Sequence, residues 1–190
     1  MRPSRIAIAL FIMGVCVFPL FGQSKVPMVT YLNKRWGFCV SYPEDWSKQE
    51  GLNMAGIRIS RPSVQPAAFI SFGALPDQPR GLITGDIGDD VPMTLAENSQ
   101  AYLQQSRVLE AVEVLENRPT HLLGNQAIST LIKYSQHDGT WMEKTIWLLR
   151  AGALYTFSLK SKSAEFPHIE PVFHNMVNIF KFDCARPSRK

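Results

Sequence analysis

The sequence predicts an α+β fold, a central antiparallel sheet flanked by helices, and three observations carry that expectation. Apolar residues recur at every second position in several short stretches, as strand pleating requires. Helical spacing is confined to two stretches, one opening at Thr94 and one running to Phe182. At 190 residues and 45% hydrophobic, the chain holds enough apolar material for one sizeable core, and a second domain would be cramped.

The stretch Tyr31 to Trp46 organises the rest. Trp36, Phe38, Val40 and Tyr42 alternate onto one strand face, with Gly37, Cys39 and Ser41 on the other. Pro43 removes a ladder donor, and Glu44-Asp45 turn the chain so that Trp46 folds back onto apolar surface. Residues 23–29 read as a flexible lead-in. Past a polar turn after Trp46, Ile57 and Ile59 alternate with Arg58 and Ser60, a half-buried strand, and Ala68 to Leu75 supplies another. The interval 76–92, with three prolines, three glycines and Asp77, Asp86, Asp89 and Asp90, reads as a long exposed loop.

Thr94-Leu-Ala-Glu97 has capping-box spacing, and a helix is expected to about Val108, with Leu95, Ser99, Tyr102, Leu103 and Ser106 on one face. Val112 and Val114 return to alternation, followed by a turn-rich interval 117–125 containing Pro119 and Gly124. Three strands then follow as a meander over 126–135, 140–149 and 153–159, with Asp138-Gly139 a type I′ hairpin signal. Both faces of these strands carry apolar residues, so both need cover. A closing helix over 167–182 supplies one cover: Val172, Phe173, Met176, Val177 and Phe180 have helical spacing, and Pro171 suits a first turn.

Residues 1–22 have the pattern of an export signal, with Arg2 and Arg5 before an apolar run from Ile6 to Phe18. The run is short for a span, which needs about 20 apolar residues, so the domain is expected to be periplasmic or secreted, without stable membrane insertion after cleavage. An uncleaved anchor is the alternative. Removing the signal leaves 18 basic against 16 acidic side chains, and such a balance offers no footprint for nucleic acid. The basic end, 184–190, reads as a solvated tail.

Cleavage would also leave an even pair of cysteines, Cys39 and Cys184, in an oxidising compartment. A bridge between them would tie the first strand to the chain's end. The competing reading makes Cys39 a small core residue and Cys184 a tail thiol.

The sequence gives little support to catalysis. There is no Gly-x-Ser-x-Gly elbow and no glycine-rich phosphate loop. His121, His137, His168 and His174 are scattered, and no catalytic residue, cofactor or metal is expected. Asp86, Asp89 and Asp90 are a weak calcium candidate whose spacing departs from the EF-hand pattern, against a solvated acidic loop. Trp36, Trp46, Trp141 and Trp147 could form a ligand platform, but their strand positions favour packing.

With these pieces assembled, the chain resembles the PsbP-like superfamily, as an exported bacterial member. The resemblance lies in Tyr31, Gly37-Phe38, Val40, Ser41-Tyr-Pro43 and Asp45-Trp46, and continues in the helix from Thr94, the strand from Gly124 to Lys133, the hairpin bearing Trp141 and Trp147, and the helix Phe173 to Phe180. It covers most of residues 30–183 and implies an α/β/α sandwich used for binding or assembly, with no functional residue to carry over. The leading expectation is thus a non-catalytic module for an unidentified protein partner in the cell envelope. The alternative is a small-molecule or ion-binding module using a pocket between helix and sheet, or the 76–92 loop.

Overall fold

The computed structural model describes residues 27–50, 56–62, 68–76 and 93–184. The signal 1–22, all of the 76–92 interval except Pro76, with its candidate ligands Asp86, Asp89 and Asp90, and the tail from 185 onward lie outside the described residues. The elements in chain order are β1 (Met28–Asn33), β2 (Phe38–Pro43), β3 (Ser47–Glu50), β4 (Ile57–Ser60), β5 (Phe69–Pro76), α1 (Leu95–Ser106), β6 (Glu110–Leu122), β7 (Asn125–Gln136), β8 (Gly139–Arg150), β9 (Ala153–Lys162) and α2 (Phe166–Ile179). Seven strands form one antiparallel sheet in the order β3-β4-β5-β9-β8-β7-β6, and β1 pairs with β2 as a separate hairpin.

The two sheet faces are covered differently. On one face Ile57, Ile59, Ile70, Phe72, Phe157, Leu159, Ile146 and Leu148 meet Phe38 and Val40 of β2 and Ile169, Phe173, Met176 and Val177 of α2. Each such side chain contributes roughly 1.5–3 kcal/mol of burial, so this layer dominates the stability. On the other face α1 and the start of β6 lay Tyr102, Leu103, Leu109 and Val112 over Ile132, Tyr134 and Trp141, a much smaller cluster. Most of that second face, towards β4 and β5, is left outside the cluster.

Both helices are placed by their ends. Thr94 accepts from the Glu97 amide while the Glu97 carboxylate accepts from the Thr94 amide, the reciprocal cap the spacing predicted. α2 is tied to the sheet by Lys144, whose ammonium lies 2.8 Å from Glu170. Partial burial pushes the Glu170 carboxyl up, but the Lys144 hydrogen bond and charge, with His174 beside it, outweigh this and hold it below its ordinary 4.5. Because the folded value is depressed, this pair stabilises the fold above about pH 4.5 and is lost as pH falls through the lower folded value. Glu170→Gln is therefore expected to flatten the acid limb of urea-midpoint against pH; an acid limb as steep as wild type would contradict it.

Several elements differ from the sequence reading, each for a local reason. β1 begins at Met28, inside the expected lead-in, because Met28 and Val29 pair with Pro43 and Tyr42. β3 replaces part of the polar turn after Trp46; its four residues are all exposed, a short charged edge with no apolar signal. β6 runs through Pro119 to Leu122, since an edge strand has an unpaired side on which a missing amide breaks no ladder bond. Pro171 sits inside α2 rather than in its first turn, and both it and Pro167, whose carbonyl loses its helical donor, are exposed to water.

The hairpin turns also shift. The β7–β8 reversal is at His137–Asp138, neither with positive φ, so the Asp138-Gly139 type I′ turn does not form. Two successive positive φ angles occur instead at Leu123–Gly124 and Ala151–Gly152, the backbone a two-residue type I′ loop demands.

Cys39 and Cys184 are joined by a disulfide with Cα atoms 6.0 Å apart. The backbone of Cys39 also exchanges hydrogen bonds with Lys181, at 2.9 and 3.0 Å, so the strap after α2 adds a bridge alongside β2.

Candidate functional site

The sheet face beside α1 holds a concavity of about 600 Å³ over β4, β5, β9 and β8. Its floor follows from the strand register. Arg58, Ser71, Ser158, Thr145, Thr130 and Asn117 stand opposite one another on six successive strands, forming a polar row across the sheet. The Thr145 and Ser158 hydroxyls are 3.1 Å apart, and Thr130 donates to the Asn117 side-chain oxygen at 3.2 Å. Gly73, Thr156 and Trp147 form the next row, and Phe69, Lys160 and Glu143 the row on the other side.

Small residues make the hollow. Gly56, Ser71, Gly73, Thr156 and Ser158 leave space above β4, β5 and β9, while Phe69, Leu75, Tyr102 and Trp147 rise around them. A Cβ on Gly56 would meet the Phe72 carbonyl at 2.3 Å, so glycine is required where β4 approaches β5. Tyr102 packs its ring 5.3 Å from Trp147, joining α1 to the wall of the hollow.

The electrostatics divide the site into two ends. At the β8 end, Tyr134 lies with its hydroxyl 3.4 Å from the Glu143 carboxylate. Burial first, and the neighbouring Glu143 charge second, push the Tyr134 and Tyr102 hydroxyls well above the usual tyrosine range, so both stay protonated. Lys160 places its ammonium 5.4 Å from the Tyr134 ring and 5.3 Å from the Trp141 ring. At the β4 end, Arg58 stacks 5.2 Å from the Phe69 ring.

The tryptophans split along the same lines. Trp46 and Trp141 are buried, and the Trp141 indole donates to Asp138 at 2.8 Å. That hydrogen bond, with Lys162 3.1 Å away, holds the Asp138 carboxyl low. Trp36 and Trp147 are only half-buried, and Trp147 lines the hollow. Packing therefore accounts for Trp46 and Trp141, and Trp36 rests against the main core cluster, whereas Trp147 lines the hollow. The signal that would have located it is on the facing strands, where Ser71, Gly73, Thr156 and Ser158 put no bulk opposite the indole.

No histidine lines the hollow; His121, His137, His168 and His174 are all exposed elsewhere. Among the described residues no group of three or more His, Cys, Asp or Glu converges, and no helix there is long and apolar enough to cross a membrane.

No known protein family matches the chain by sequence, and no curated protein matches it. Solved structures do. Cyanobacterial PsbP (CyanoP) from Synechocystis superposes with a TM-score of 0.59 at 11% identity, over 87% of this chain and 98% of that one. A protein of unknown function from Pseudomonas aeruginosa gives 0.53 at 16% identity, over 85% and 99%. LpqN of Mycobacterium tuberculosis, involved in cell envelope biogenesis, gives 0.51 at 15%, over 83% and 86%. At such identities the likeness speaks for backbone architecture and not for activity. The chain has a PsbP-like fold: an α+β arrangement with one large antiparallel sheet between the α2 layer and α1.

Proposed function

We propose that this protein is a non-catalytic, exported binding module that engages a small molecule in the hollow between α1 and the sheet. The carrying observation is the hollow itself: about 600 Å³, walled by Trp147, Phe69 and Leu75 and floored by a row of hydroxyls. Apolar walls with a few placed polar groups are what small-molecule sites have in common. Export is supported by the Arg2 and Arg5 leader pattern and by the structural likeness to an envelope-biogenesis protein.

Native mass spectrometry of the protein re-isolated from cell-envelope extract tests this. Wild type is expected to retain a small molecule, and Ser71→Tyr, which fills the hollow from its floor with a good strand former, is expected to lose it. Retention by both would place binding elsewhere.

A protein partner is the second reading, favoured by Val108, Val114 and Leu115, exposed at 88%, 49% and 44% on and just before the edge strand β6. A crosslinked protein recovered equally by wild type and Ser71→Tyr, but lost on Val114→Lys, would favour it.

A further inference from the structure

We infer that the hollow takes an amphiphile with one anionic head, the head held by Arg58 and the apolar body lying against the walls formed by Leu75, Tyr102 and Trp147. This rests on the small-molecule role proposed for the hollow and narrows it to a chemical class. Three charged groups line the hollow, Arg58, Lys160 and Glu143, which leaves one positive charge in excess. They are not equivalent. Lys160 and Glu143 stand opposite each other in the register, the ammonium resting on the Tyr134 and Trp141 rings and the carboxylate accepting from Tyr134. Neither Arg58 nor Lys160 has a carboxylate within 4 Å among the described residues, but Lys160 is held over two aromatic rings, whereas the Arg58 Nε is buried without a hydrogen-bond partner there.

A guanidinium cannot shed its charge at physiological pH, and its fork of donors matches a carboxylate or phosphate. The Arg58 guanidinium carbon lies 5.2 Å from the Phe69 ring centroid, at the β4 end of the polar row. The Trp147 indole N–H, in the row beside, is a second buried donor with no partner among the described residues. From Arg58 to Thr145 the row crosses three strand spacings, roughly 14 Å. Over that length the hollow is walled by Leu75, Tyr102 and Trp147, with the cation at one end, which suits a charged head and an extended apolar body.

Decanoate, decanol and decyltrimethylammonium, titrated by calorimetry, separate charge from chain. Decanoate is expected to bind at least tenfold more tightly than decanol, and decyltrimethylammonium more weakly than either. Arg58→Gln is expected to bring decanoate down to the affinity the same variant shows for decanol, whose continued binding reports an intact hollow. Equal affinity of decanoate and decanol, or no effect of Arg58→Gln on decanoate, overturns the anionic head but leaves the small-molecule role standing. If no probe binds yet wild type still retains an envelope molecule that Ser71→Tyr loses, the amphiphile class is wrong and the role again stands. If that molecule is absent as well, both fail.

Discussion

Reducing the Cys39–Cys184 disulfide is expected to lower the free energy of unfolding by about 3–5 kcal/mol, one of the two largest single effects available in this fold. The bridge spans 145 residues, and closing a loop of that length removes chain entropy from the unfolded state corresponding to about 5 kcal/mol as an upper figure. Urea unfolding with and without reductant measures it. Because the reduced unfolded chain exposes more surface, the denaturant slope should rise as the midpoint falls. The strap itself stays docked in the reduced native protein, held by the Cys39–Lys181 bridge, the Arg150–Asp183 ion pair at 3.1 Å and Arg150 stacked 4.4 Å from the Phe182 ring. An unchanged midpoint and slope would show that no bridge closes this loop.

Phe180→Ala is the other large effect, expected to cost about 3–5 kcal/mol. Phe180 follows the last turn of α2 in extended backbone, yet its ring is only 4% exposed. It sits 5.2 Å from Phe38 and 5.9 Å from Phe72 in stacked geometry, and 4.9 Å edge-on to Phe157. It therefore joins β2, β5 and β9, three elements far apart in the chain, and truncation opens a cavity bounded by all of them. Phe180→Leu keeps most of the volume and should cost about 1–1.5 kcal/mol. A thermal or urea midpoint for Phe180→Ala near that of wild type would mean the cluster is looser than these distances imply.

The alternation in β2, β5, β7, β8 and β9 was legible in the sequence because each of these strands puts an apolar residue at every second position. The same holds for the Thr94–Glu97 cap, which is a local rule carried by two residues. What escaped was set by pairing rather than by pattern. β3 has only Ser-Lys-Gln-Glu and exists because Ile57 to Ser60 offer it a partner. Pro119 looked like a breaker and is tolerated because β6 lies at the sheet edge, a property of strand order that no single segment encodes.

The hollow was legible in half. A pocket between helix and sheet was one of two expectations, but its walls were not. Trp147 alternates with Thr145 and Leu149 like any core strand residue, and its half-exposure depends on Ser158, Thr156, Ser71 and Gly73 lying beside it on other strands. Arg58 likewise reads as the outward residue of a half-buried strand. Only the register shows it closing one end of a polar row.

The Trp147 indole resonance tests the binding face most directly. In a ¹H–¹⁵N spectrum of the full domain, titration with decanoate, or with the molecule recovered from envelope extract, should shift the Trp147 indole N–H while Trp46, on the opposite sheet face, stays in place. A shift at Trp46 or Trp36 with Trp147 unmoved would put the ligand elsewhere and contradict the role assigned to the hollow.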